Sequence, residues 1–182
     1  MFKFLSDERN NHFDWSSLGS PEEGRANLGG DMPVLVYRLF QYTLRDVLNT
    51  KYGSIATIEI FREAGELAGK EFAANMLDVT LPFDKFIALL HKTLKDTKVG
   101  ILRVEEVDQQ TNEMILSVAE DLDCSGLPIT GETVCNYDEG FISGILQAYT
   151  GKQYVVREVD CWSKGDRVCR FKAKMAWDWD WD

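Results

Sequence analysis

Residues 124–171 read CSGLPITGETVCNYDEGFISGILQAYTGKQYVVREVDCWSKGDRVCRF. The stretch holds all four cysteines of the chain, Cys124, Cys135, Cys161 and Cys169. Gln153 to Val159 is a β-rich run carrying Tyr154, Val155, Val156 and Val159. Val168 to Met175 alternates basic and apolar residues: Arg170, Lys172 and Lys174 on one parity, Cys169, Phe171, Ala173 and Met175 on the other. Ser163-Lys164-Gly165-Asp166 lies between them, so the two runs form a hairpin whose loop is flanked by Cys161 and Cys169. Val134 to Tyr149 reads as a helix opened by Cys135, with Thr133 placed as its cap. A helix start docked beside the hairpin brings a third sulfur to the other two.

Three readings of these thiols stand together. The first is a disulfide, but Met1-Phe2-Lys3-Phe4-Leu5 lacks the apolar core of a secretory signal. A cytoplasmic, reducing location is therefore expected, where lasting disulfides are rare. The second is inert burial, since free cysteine is a common core residue. The third is a structural zinc site, which takes thiolate, imidazole or carboxylate ligands. The spacing is not the paired CxxC of a zinc ribbon.

The run Cys135-Asn136-Tyr137-Asp138-Glu139-Gly140-Phe141-Ile142-Ser143-Gly144, followed by Gly151, Glu158, Cys161, Gly165-Asp166, Cys169 and Phe171, resembles the 4-vinyl reductase domain. That family includes sensory domains of aromatic-responsive transcription activators and stand-alone proteins tied to bacteriochlorophyll synthesis. The resemblance implies a fold similar to TRAPP tethering subunits and haem-type nitric oxide sensor domains. It also implies a zinc held by three cysteines and one glutamate, which fall here on Cys135, Glu158, Cys161 and Cys169. The ligand it implies is a hydrophobic small molecule: an aromatic, a tetrapyrrole or a lipid. A phenol-type site would need a histidine and a tryptophan near the hairpin, and that region offers no equivalent pair.

One physical condition attaches to this ligand set. Glu158 and Cys161 are three apart, so in an unbroken strand they point to opposite faces. Both reach one metal only if the strand bulges or ends near Asp160. Cys124 is the rival fourth ligand. A purely structural Glu158 would instead pair with Arg170 or Lys172.

The rest of the chain sets the frame. With 182 residues, one domain is expected, at 32–176, behind a loosely ordered arm at 1–31 and before a Trp-Asp tail at 177–182. The net charge of −10 argues against non-specific nucleic-acid binding and against docking on anionic lipid. No apolar run reaches transmembrane length. No P-loop or DNA-reading helix-turn-helix signature is present, and His12 reads as a surface residue.

Pro33 to Leu48 reads as a helix, with Asp31 as its cap. Its stripe of Val36, Leu39, Phe40, Thr43 and Val47, widened by Leu35, Tyr42 and Leu48, predicts burial on two sides and a homodimer. Ile55 to Leu77 reads as a second helix, in which Ala64, Gly65, Ala68, Gly69 and Ala73 predict close helix packing. Gly140 and Gly144 leave room for a strand or a planar ligand. Pro82 to Lys95 is a third helix containing His91, and 99–107 with 113–118 form a second hairpin.

The fold class expected is α+β: an antiparallel sheet packed against several helices around an apolar cavity, with a zinc-clamped C-terminal hairpin. Candidate cavity residues are Phe61, Phe72, Phe86, Leu102, Met114, Leu116, Tyr137, Phe141, Ile145 and Tyr149. Three function classes follow: a non-catalytic binder of a hydrophobic molecule, an enzyme or accessory factor of tetrapyrrole metabolism, and a protein-interaction adaptor. No nucleotide fingerprint and no Ser/His/Asp set accompanies the cysteines, so catalysis is not expected.

Overall fold

A computed structural model of the chain describes residues 13–108 and 110–176. His12 and the tail at 177–182 lie outside the described residues. The chain divides into two compact units after Asp31. In the first, Asp14 caps a short 3-10 turn at Trp15–Leu18 by accepting the Ser17 N–H, and α1 (Pro21–Gly24) follows with proline in its first turn.

The second unit begins with α2 (Val34–Met76), which is two helical arms meeting at Gly53. Gly53 has φ 81° and ψ 166°, a conformation closed to residues with a Cβ, so the break sits at a glycine. The Thr57 hydroxyl donates to the Gly53 carbonyl and secures the start of the second arm. Then come α3 (Phe83–Asp96), β1 (Ile101–Asp108), β2 (Glu113–Ala119), α4 (Asn136–Thr150), β3 (Tyr154–Asp160) and β4 (Cys169–Met175). The strands form one antiparallel sheet in the order β1-β2-β4-β3. Helices and antiparallel sheet are thus both present, as the α+β reading requires.

β4 is central and carries the alternation seen in its sequence. Cys169, Phe171, Ala173 and Met175 are buried, whereas Arg170, Lys172 and Lys174 are half-buried on the other face. That second face is laced by ion pairs: Lys174 to Glu113 at 2.7 Å, and Arg170 to both Glu105 and Asp160. The buried face packs on α3 through Phe86, Leu90 and Leu94, and on α4 through Ile142, Ile145 and Leu146.

The second arm of α2 covers the far side of α4, and the contact is backbone on backbone. A Cβ on Gly65 would stand 2.0 Å from the Tyr137 carbonyl, and one on Gly69 2.1 Å from that of Phe141. Reciprocally, a Cβ on Gly140 would stand 1.9 Å from the Arg62 carbonyl, and one on Gly144 2.2 Å from that of Glu66. The space left by Gly140 and Gly144 is filled by α2, not by a strand or a ligand. Close packing is also what Gly65 and Gly69 serve.

The first arm of α2 reverses the expected orientation. Its apolar stripe faces outward: Leu35 is 76% exposed, Leu39 63% and Phe40 67%, while Gln41 is buried. The inward face is polar because it meets loop carbonyls and carboxylates. Neither helix has its expected side-chain cap: Pro33 stands at the start of α2 and Cys135 at that of α4, and no side-chain cap bond forms at either.

Candidate metal centre

The four thiols converge from three parts of the chain. Cys124 follows β2, on a turn where the Asp121 carboxylate accepts the backbone N–H of Asp123 and of Cys124 at 2.9 and 3.1 Å. Cys135 stands at the N-terminus of α4. Cys161 ends β3, and Cys169 begins β4. The Cys161 carbonyl accepts N–H bonds from Lys164 and Asp166, and its own N–H donates to the Asp166 carboxylate at 3.0 Å. Gly165 closes that turn at φ 111°.

The condition on β3 is met. Glu158 pairs with Phe171 and Asp160 with Arg170, so Val159 is the extra residue of a β-bulge. The bulge turns Glu158 to the side of Cys161. Ligand atoms of Cys124, Cys135, Glu158, Cys161 and Cys169 all lie within 4.8 Å of one another, and all five residues are buried. Both rivals for the fourth ligand, Glu158 and Cys124, are therefore in the cluster.

Distances separate them. Sulfurs bound to one tetrahedral zinc at about 2.3 Å stand about 3.8 Å apart. Cys135 Sγ is 3.9 Å from Cys161 Sγ and 3.8 Å from Cys169 Sγ, which fits that spacing. Cys124 Sγ lies 3.0 Å from Cys169 Sγ, too close for two thiolates on one ion. Glu158 Oε2 accepts the Cys135 backbone N–H at 3.0 Å, and Oε1 is buried without a hydrogen-bond partner. An orphaned buried acceptor costs about 1–3 kcal/mol unless something occupies it. The pairing that a structural Glu158 required is absent, since Arg170 binds Glu105 and Asp160, and Lys172 binds Glu113.

The electrostatics match a site built for a cation. Burial, reinforced by Cys161, pushes the Glu158 carboxyl up to about 8. Hydrogen bonds from Cys124, Cys135 and Cys169 hold the Cys161 thiol well below its usual range, while contacts with Cys124, Cys161 and Cys169 hold Cys135 above it. Three sulfurs and one carboxylate with no imidazole suit a closed zinc site.

Polar residues of the first α2 arm grip the loops that carry the cluster. Tyr37 and Gln41 each donate to the Asp123 carboxylate at 2.7 Å. Arg38 donates to the carbonyls of Leu122 and Ser125, and Arg45 to Asn136 and to the Val134 carbonyl. From the second arm, Arg62 pairs with Glu139 at 2.6 Å, and Glu139 accepts the Glu158 backbone N–H at 2.8 Å. Asp121, Asp123, Asp138 and Glu139 were not among the sequence candidates. The acidic run before Cys124 was their one visible signal.

The ten expected cavity residues do not share one space. Leu102, Leu116, Phe141 and Ile145 line a small apolar cavity of about 30 Å³ between α3, α4 and the sheet. Phe61 and Tyr137 line a cleft of about 230 Å³ between the α2 arms, and Met114 borders a shallow third depression. Phe86 is fully buried and stacks on Tyr149 at 4.0 Å, while Phe72 meets the Phe141 ring at 5.2 Å. The glycine contact is the reason: α2 lies so tightly on α4 that spaces on either side of α4 cannot merge. His91, on α3, approaches the Leu102 carbonyl at 2.7 Å, away from the thiols.

Residues 114–175 match the family model of the 4-vinyl reductase domain. The chain carries a 4-vinyl reductase domain. The matched segment contains all four cysteines and Glu158. The "Uncharacterized protein MJ0150" of Methanocaldococcus jannaschii is 31% identical over 107 residues, 59% of this chain and 61% of that protein. The match thus spans less than two thirds of that relative. Among solved structures, the phenol-responsive sensory domain of the transcription activator PoxR, solved with phenol, superposes with a TM-score of 0.60. It is 19% identical, covering 82% of this chain and 77% of that one. A trafficking protein particle complex subunit 3 from Naegleria fowleri, covalently bound to palmitic acid, gives 0.62 at 13% identity over 78% of this chain and 93% of that one. At these identities the likeness is one of fold. Among the described residues, no helix is long and apolar enough to cross a membrane.

Proposed function

We propose that the chain is a zinc-stabilised, non-catalytic binding domain for a hydrophobic small molecule, working as a homodimer. The observation that carries the zinc is the buried set Cys135, Glu158, Cys161 and Cys169, with tetrahedral sulfur spacings and an unpartnered Glu158 Oε1. A zinc closed by four protein ligands leaves no position for a substrate. The role of such an ion is to fix α4 against the hairpin, because metal-binding free energy becomes folding free energy.

The cleft between the α2 arms is the place for the ligand. Phe40, Leu44, Leu48, Ile60, Phe61 and Tyr137 make its walls largely apolar, and Tyr37 and Gln41 add polar atoms. Its volume of about 230 Å³ falls below the roughly 300–1,000 Å³ of drug-sized pockets. An aromatic ring or part of an acyl chain suits it better than a tetrapyrrole. The PoxR domain with phenol and the palmitoylated trafficking subunit show both ligand types on this fold. A second copy laid on the exposed Leu35, Leu39 and Phe40 face would roof the cleft.

Solvent extraction of the purified protein followed by mass spectrometry tests the ligand directly. An aromatic or acyl compound at near-stoichiometric amount is expected. A clean extract, together with no shift of the melting temperature by phenol or palmitate, would remove the ligand from this account and leave the metal standing.

A further inference from the structure

A second group of metal-type donors adjoins the first and shares a member with it. Ligand atoms of Asp121, Cys135 and Asp138 lie within 4.8 Å of one another. Cys135 Sγ is 3.9 Å from Asp121 Oδ1. Asp121 is 3% exposed, and Asp138 Oδ2 is buried without a hydrogen-bond partner even though part of that residue reaches the surface. The basic residues of the adjacent α2 arm do not answer this charge, since Arg38 and Arg45 give their donors to loop carbonyls and to Asn136.

One zinc would not neutralise the neighbourhood. Three thiolates and a carboxylate outweigh a divalent ion by two negative charges. Asp121 and Asp138 then add carboxylates beside that excess, in a dry setting where unpaired charge is costly. Both also border the small cavity of about 30 Å³, whose other walls include Leu116, Val118 and Phe141. That space exceeds the roughly 10–15 Å³ needed for one water, so it admits an ion with a water or a small ligand atom.

We propose that Cys135 bridges two zinc ions: the one already assigned, and a second held by Asp121 and Asp138 whose fourth position opens into the cavity. A thiolate sulfur has lone pairs enough for two cations. Three protein ligands with one position left over is the arrangement that lets zinc bind an exchangeable water or small molecule. The chemical class this position takes is a small oxygen, nitrogen or sulfur donor. The inference rests on the first zinc being present, and the experiment separates the two.

Full-length protein stripped with chelator and refilled with Zn²⁺ alone is weighed by native mass spectrometry. Two zinc ions per chain are expected in the wild type, one in Asp138→Asn, and none in Cys135→Ser. One zinc in the wild type would overturn the second site and keep the first. No zinc in the wild type would overturn both. Two zinc ions retained in Asp138→Asn would overturn the placement on Asp138. The single zinc left in Asp138→Asn doubles as its folding control, and if that variant does not fold, the wild-type count still decides.

Discussion

The backbone N–H of Cys135 donates to Glu158 Oε2 at 3.0 Å, and the other oxygen of the same carboxylate has no donor. One side chain thus ties the start of α4 to the bulge in β3 and keeps an oxygen free beside the sulfurs. Glu158→Gln keeps an acceptor for Cys135 but loses the anionic donor. Zinc affinity should fall by more than the roughly 10- to 100-fold typical of an outer-shell change, measured by competition with a coloured chelator. Cys124→Ser should leave affinity nearly unchanged, because Cys124 sits too close to Cys169 to share the ion. Cys161→Ser should lose the metal and about 4 kcal/mol, roughly 10 °C in melting temperature, and should weaken ligand binding although Cys161 lines neither apolar space.

Gly140→Ala tests the helix seam. Its Cβ would stand 1.9 Å from the Arg62 carbonyl, a backbone atom that cannot turn aside. Separation of α2 from α4 should cost about 3 kcal/mol or more, visible in urea unfolding. Gly24→Ala, with nothing within 4 Å of the new Cβ, should be near neutral.

Much of this was legible in residues 124–171. The strand parity of β4 predicted which residues are buried, and the need for Glu158 and Cys161 to face one point predicted a break near Asp160, where Val159 bulges. The glycines were read as close packing on one helix and as empty room on the other. Sequence spacing shows a gap but not what fills it. The first α2 arm was misread because hydrophobicity was taken to point inward. There the helix meets a loop bearing Asp123 and bare carbonyls, so Tyr37, Arg38 and Gln41 are the residues that fit. Asp138 was hidden for a similar reason: an acidic residue in a helix's first turn ordinarily serves the helix dipole.

The exposed stripe of that arm predicts a dimer. Light scattering should give twice the 20.8 kDa of one chain at micromolar concentration. Leu39→Glu with Phe40→Glu should return the single-chain mass without altering zinc content. A wild type with the single-chain mass would contradict the dimer.

Acidity should separate metal-free from metal-loaded protein. Burial holds Glu158 up to about 8 and Asp121 up to about 7, from ordinary values of 4.5 and 3.8. Folded pKa values above the unfolded ones mean that the metal-free fold loses stability as pH rises toward about 8. Below the ordinary values both states are protonated and these groups make no difference. Zinc binding displaces those protons, so affinity rises with pH. Thermal melts with and without chelator should therefore diverge between about pH 5 and pH 8. Parallel curves would contradict the assignment of these carboxylates to the centre.

The central claim is that the thiol cluster binds zinc, and zinc-edge X-ray absorption on protein purified without chelator tests it most directly. The account predicts stoichiometric zinc with a sulfur-dominated first shell at about 2.3 Å and a shorter oxygen contribution near 2.0 Å. Protein that arrives free of metal, with all four thiols reactive and an unchanged melting temperature on adding Zn²⁺, would contradict it.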